Sequence, residues 1–135
     1  MKEIYKMNIP SNLKFTKSDE WVLLEGNTAT IGISDYAQNQ LSDIVYVEYL
    51  VEADDEIKAS TTVSTLESVK AAADVTCPVA GTVLEVNDSL PDTPEAINSD
   101  PYGAWMVKIN VADPAAVNAL MDAAAYEKYC QEREH

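Results

Sequence analysis

The sequence predicts a mainly β fold, a small antiparallel sandwich or barrel with a helical appendage at its C-terminal end. Three observations lead there. Between residues 20 and 111 short runs rich in β-branched and aromatic residues alternate with turns built from glycine, proline, asparagine and aspartate. Two of these β-rich stretches flank a turn that carries Lys70, which hints at a sheet folded over itself in two weakly related halves. Beyond residue 112 the pattern changes to helix, opened by Asp113-Pro114. At 135 residues and 47% hydrophobic content the chain suits one domain able to bury a core.

Taken in order, residues 1–17 are mixed, carry four lysines and are expected to run over the surface before Leu13-Lys14-Phe15 begins the ordered part, so 1–12 counts as an N-terminal segment. Residues 20–25 and 28–33 read as a hairpin closed at Gly26-Asn27, with Gly32 marking a bulge or a close approach of backbone. Ser34 is a good N-cap, because its hydroxyl can accept a free amide hydrogen, and Asp35 suits the helix dipole, so a short helix over 35–41 follows. Residues 44–50 alternate as a strand, 52–55 form an acidic turn and 56–58 resume a strand. Residues 81–86 form another strand, and the prolines of 87–94 enforce a long loop with one helical turn at Glu95-Ala96-Ile97. Asp100-Pro101-Tyr102-Gly103 turns the chain into a strand over 105–111. Aspartate as N-cap with proline at the first helical position then starts the C-terminal helices of 113–135, with Val117, Leu120 and Met121 as an apolar stripe and a second helix over 122–133. Trp21, Trp105, Tyr36, Tyr46 and Tyr49 are assigned to the core or its rim.

Composition excludes several function classes. Nine basic against 23 acidic residues give a net charge of -14, which opposes binding to polyanionic nucleic acid and favours basic protein surfaces. No apolar run reaches the roughly 20 residues of a membrane span, and the first six residues lack the apolar stretch of a secretory signal, so a soluble, intracellular protein is expected. Cys77 and Cys130 are too few and too far apart for a disulfide framework or a metal site, and read as reduced thiols, Cys77 as a small packing residue. With His135 as the single histidine, a His-dependent nucleophilic triad is hard to build and two-histidine zinc motifs are excluded. Asp54 and Asp55 read as a solvated acidic turn, not as a general acid pair, and no catalytic residue is assigned.

Lys70 is the candidate that remains. From Ser18 to Val107 the only basic side chains are Lys58 and Lys70, so an amine at this turn stands almost alone among carboxylates. Its flexible stem and acylable ammonium, with alanines at 71–73, suit display to a modifying enzyme.

Glu67-Ser68-Val69-Lys70, followed by Asp74-Val75 and Pro78-Val79-Ala80-Gly81, resembles the lipoyl-bearing hairpin of the glycine cleavage system H protein family. Further blocks resemble it in family order: Glu20-Trp21-Val22, residues 29–38, residues 41–48, and Asn98-Ser99-Asp100-Pro101-Tyr102-Gly103 with Trp105. The resemblance covers nearly the whole chain from Leu13. It implies a lipoyl/biotinyl-like barrel-sandwich hybrid and a non-catalytic carrier with lipoate in amide linkage on Lys70, presented by Glu67, Ser68 and Val69. It also implies the cycle. The oxidised arm takes an aminomethyl group from glycine on a pyridoxal-phosphate decarboxylase (P protein), with release of carbon dioxide. It delivers the one-carbon unit to tetrahydrofolate on an aminomethyltransferase (T protein), with release of ammonia, and is reoxidised by dihydrolipoamide dehydrogenase (L protein). A lipoate ligase or a lipoyl/octanoyl transferase would attach the cofactor to what is expected to be a monomer, in a bacterial cytoplasm or, after loss of a transit peptide, a mitochondrial matrix.

An exposed aminomethyl thioether can lose formaldehyde and ammonia, so such a carrier gains from a sheltering cleft. Ser18, Glu20 and Asp74 match family positions that contact the loaded arm, where a hydroxyl and carboxylates could hold a protonated amine. The chain departs from the family at Asp19, where histidine is usual, and at Ala53, Ser60 and Ala104, where glycine is common. The extra charge of Asp19 beside the cleft leads to the expectation of a tighter hold on the arm. Other carriers fit less well: lipoyl domains of 2-oxo acid dehydrogenases usually show Asp-Lys-Ala at the turn, and biotin carriers flank their lysine with methionines. A lipoate relay, donating lipoyl groups to 2-oxo acid dehydrogenase complexes, remains the alternative within the same resemblance.

Overall fold

Period-two alternation along the strands gives each one an apolar side, and those sides close on one another. The computed structural model describes residues 7–133. Its elements are β1 (Lys14–Phe15), β2 (Glu20–Glu25), β3 (Thr28–Ile33), α1 (Asp35–Leu41), β4 (Ile44–Tyr49), β5 (Glu56–Ile57), β6 (Thr61–Ser68), β7 (Ala72–Cys77), β8 (Gly81–Val86), α2 (Ala96–Ser99), β9 (Val107–Val111), α3 (Ala115–Asn118) and α4 (Ala123–Arg133). One sheet runs β1-β2-β3-β9-β8-β5 and the other β4-β6-β7, with every pairing antiparallel. This is the mainly β barrel-sandwich that the sequence predicts, with short helices and a C-terminal helix.

Val22, Ala29, Ile31 and Ile33 from the larger sheet meet Val47, Val63, Leu66 and Val75 from the smaller, all buried. Each such aliphatic side chain contributes roughly 1.5–3 kcal/mol by leaving water. Cys77 is part of this core, and burial pushes its thiol up to about 11, so it packs as a small apolar group. The opposite side of β1 and β2 carries a second, aromatic cluster, in which Leu13, Phe15, Trp21 and Tyr36 pack with Tyr126 and Cys130 of α4. Phe15 and Tyr126 stack with ring centroids 4.5 Å apart.

Local signals in the sequence are realised at several points. Ser34 caps α1 by accepting the Ala37 amide. Gly32 proves to be a close approach and not a bulge: β2 and β3 pair without a register shift, Trp21 lies opposite Gly32, and a Cβ there would sit 2.7 Å from the indole. Ser60, at a position where glycine is common in the family it resembles, has a φ of 69°, a left-handed conformation that costs a residue with a Cβ about 1–2 kcal/mol.

Other expectations shift. The helix opened by Asp113-Pro114 is a single turn, with the Asp113 carboxylate accepting the Ala115 amide, because Met121 leaves it to pair its backbone with Phe15 in both directions, at 2.8 and 3.1 Å. Asp122 then starts α4 by accepting the Ala125 amide on its side chain. Strand β9 begins two residues later than expected, since the Asn87 side chain occupies the Trp105 carbonyl. Tyr46 is not a core residue: it stands half exposed on the outside of β4, whereas Trp21 and Tyr36 are buried. Of the N-terminal segment, residues 1–6 lie outside those described, as does His135. Met7 and Ile9 pack against the aromatic cluster and the Asn8 amide donates to Asp35, so this stretch is fastened and not merely draped.

Candidate functional site

Lys70 sits at the apex of the β6–β7 hairpin, exposed to solvent, and forms no ion pair among the described residues. The backbone beneath it is braced from two sides. Ser68 Oγ accepts the amides of Lys70 (3.2 Å) and Ala71 (3.0 Å) and donates to the Ala71 carbonyl, while the Ser68 amide closes the turn on that same carbonyl. The Val69 amide donates to the Asp43 carbonyl (3.0 Å), tying the apex to the chain that enters β4. That chain is held by Asn98, whose side chain accepts the Ile44 amide and donates to the Ser42 carbonyl and to Gln38. Glu67 and Val69 are exposed, Ser68 half-buried, and Val45 and Tyr46 add exposed apolar surface beside the apex. An exposed primary amine on braced backbone, followed by alanines at 71–73, fits an amide-linked acyl arm.

A cleft of about 290 Å³ lies at the other end of β7, lined by Thr16, Ser18, Glu20, Ser60 and Thr76, with Phe15, Pro78 and Met121 among its apolar walls. Glu20 is its chemical centre. The residue is 1% exposed, and its Oε1 accepts hydrogen bonds from Thr16 Oγ1 (2.5 Å) and Ser18 Oγ (2.7 Å). Its Oε2 reaches across to the other sheet, 3.3 Å from the Thr76 amide and 3.4 Å from the Thr76 hydroxyl. Burial raises its pKa, with a smaller contribution from the Asp19 charge, and the hydrogen bonds from Thr16, Ser18 and the Thr76 amide oppose that only in part. A buried carboxylate whose described partners are all uncharged is suited to receive a cation.

The structure therefore joins Ser18 to Glu20, but it does not bring Asp74 to them by any hydrogen bond. Asp74 is exposed on β7, two residues from Thr76 and so on the same face, on the way to the apex. From Ala72 to Thr76 the strand covers about 13 Å, a span within reach of a lysine bearing a long acyl chain. Asp19 departs from expectation. Its carboxylate is bound by Arg133 through two nitrogens (2.6 and 3.2 Å) and accepts from Tyr126 (2.8 Å), while its charge still helps to raise the Glu20 pKa. Thr16, Thr76 and Asn98 were not singled out from sequence. The alternation Thr16-x-Ser18-x-Glu20 is the one local signal that could have found Thr16, whereas Thr76 and Asn98 meet their partners 56 residues away.

The family model described as "Glycine cleavage H-protein" matches residues 13–133. A glycine cleavage system H protein of Clostridium botulinum is 50% identical over 126 residues, covering 93% of this chain and 96% of its own. One from Halothermothrix orenii is 47% identical over 129 residues, covering 95% and 100%. The crystal structure of a glycine cleavage system H protein from Mycobacterium marinum superposes with a TM-score of 0.79 at 28% identity, covering 94% of this chain and 100% of that one.

Proposed function

The chain belongs to the glycine cleavage H-protein family, the carrier component of that system, and on this premise we propose that it is a non-catalytic, single-domain carrier whose Lys70 Nζ bears lipoate in amide linkage. When bound, that group supplies a cyclic disulfide able to take up the aminomethyl unit of glycine reductively and to be re-formed by oxidation. The carrier then meets three enzymes in turn: the glycine decarboxylase, the tetrahydrofolate-dependent aminomethyltransferase and dihydrolipoamide dehydrogenase. Its bacterial relatives support a cytoplasmic setting.

The single observation that carries this reading is an exposed lysine, with no ion pair among the described residues, on a braced apex at one end of β7 with a buried carboxylate at the other. Ser68 and Asp43 hold the apex backbone, so the flexible lysine is offered to an attaching enzyme from a fixed base. Glu20, with Ser18 and Thr16, would accept the hydrogens of a protonated amine brought back along β7, and Asp74 would attract that amine on its path. With the arm seated, apolar walls such as Phe15 and Met121 would limit the water that reaches the carried group and so slow its hydrolytic loss.

Coexpression with a lipoate ligase and supplied lipoate, followed by intact mass and peptide mapping, tests the assignment. One lipoyl increment on Lys70 is expected, and Lys70→Ala should lose both the increment and glycine–bicarbonate exchange with the decarboxylase while keeping its fold, since the side chain is exposed. An unmodified wild type, or a modified Lys70→Ala, would overturn it.

A further inference from the structure

Three residues of α4 end on one short piece of chain. Tyr126, Tyr129 and Arg133 are spaced i, i+3, i+7 and so share one face of the helix. The Tyr129 hydroxyl donates to the Lys17 carbonyl (3.0 Å), and Tyr126 and Arg133 both donate to the Asp19 carboxylate. The guanidinium is held in turn between two rings, 4.3 Å from that of Tyr36 and 4.2 Å from that of Tyr129. Tyr126 has one hydrogen, given to Asp19, so the 2.6 Å contact with Ser34 is the serine donating, and the cap of α1 belongs to the same chain of bonds. Asp19 has a φ of 74°, a conformation that a residue with a Cβ adopts only when something holds it. Its amide donates to Thr16 and its carbonyl accepts from Ser34. Ser18 and Glu20, which flank it, both turn into the cleft.

Resting on the carrier reading above, we propose that α4 is a latch for the arm cleft: the Asp19–Arg133 pair fixes the left-handed residue between Ser18 and Glu20 and thereby sets both side chains for the amine they receive. Asp19 and Arg133 are positioning residues, and neither touches the arm. A fork of two charge-assisted bonds suits that task, because it fixes direction as well as distance, and lysine offers no such fork. The aspartate that replaces the family's usual histidine thus works with Arg133 of this chain, not with the cargo.

The test compares wild type with Asp19→Asn, which tolerates the same backbone, and with Arg133→Gln, Arg133→Lys and the double variant Asp19→Asn/Arg133→Gln. Two readouts are taken: amide hydrogen exchange in lipoate-free protein, and the rate at which lipoylated protein, loaded by the decarboxylase with glycine, loses its carried group. Asp19→Asn and Arg133→Gln should each speed exchange at the residue 19 and Ser34 amides while the β6–β7 amides keep wild-type rates, and should each speed loss of the group by roughly tenfold. The double variant should be no worse than the worse single, and Arg133→Lys should fall between wild type and Arg133→Gln. Unchanged exchange at Asp19 and Ser34, or equal acceleration throughout the protein, would overturn the latch. Glu20→Gln separates the two ideas: if it hastens loss and Arg133→Gln does not, the latch alone fails. If neither does, the cleft reading fails, and the exchange data still decide whether α4 holds the loop.

Discussion

Glu20 is taken out of water by folding and given only neutral donors, so its protonation should be visible in stability. Its pKa is raised, chiefly by burial, above the unfolded value of about 4.3. Below that value both states are protonated and burial exacts no charge penalty. As pH rises through the window up to the folded value the unfolded chain ionises first, the native state holds more protons, and stability falls. Glu20→Gln has no such proton, so its melting temperature minus that of wild type should increase from about pH 4 to about pH 7. A difference that stays constant across that range would mean the carboxylate is not penalised by its surroundings. At this scale Glu20 and Ser18 were legible in sequence through the family's motif, but the hydroxyls and amide that surround the carboxylate were not, since Thr76 arrives from the opposite sheet.

The β2–β3 hairpin shows how a strand pair stores a fold-specific constraint. Trp21 lies over Gly32, its Nε1–H donates to the Pro101 carbonyl (3.0 Å) and its ring meets Tyr102 at 6.2 Å, so the indole cannot swing aside freely. Intrinsic preference alone would favour Gly32→Ala, because alanine is better than glycine in a strand by about 0.5–1 kcal/mol. The 2.7 Å approach predicts the opposite sign, a loss of about 1–3 kcal/mol from overpacking in urea unfolding. A neutral or stabilised variant would show that the tryptophan is free to move. Most elements were readable because their signals are local: alternation in β2 and β3, the serine cap of α1, the proline-rich loop before α2. The early end of α3 was not, because a backbone bridge between Phe15 and Met121, distant in sequence, competes with helix propensity and wins.

For the whole molecule, the net charge of -14 makes electrostatic attraction to basic enzyme surfaces the long-range part of docking. The KM of the decarboxylase for this carrier should therefore rise between about 0.01 M and about 0.15 M salt, as the screening length falls from roughly 30 Å to roughly 8 Å. A KM indifferent to salt would assign docking to short-range contacts, for which Val45, Tyr46 and Val69 beside Lys70 are the exposed apolar side chains at hand. By itself the sequence determined most strand positions, the mainly β class, the family resemblance and the nearly isolated lysine, because alternation, turn residues and ordered motifs are written within a few residues of one another. Only the tertiary structure decided that Glu20 is sealed against Thr76 of the other sheet, that Asp74 stays outside that contact, and that Asp19 is bound by Arg133. Those pairings join residues 56 and 114 positions apart, and only the closing of two sheets and the docking of α4 fix which way each carboxylate turns.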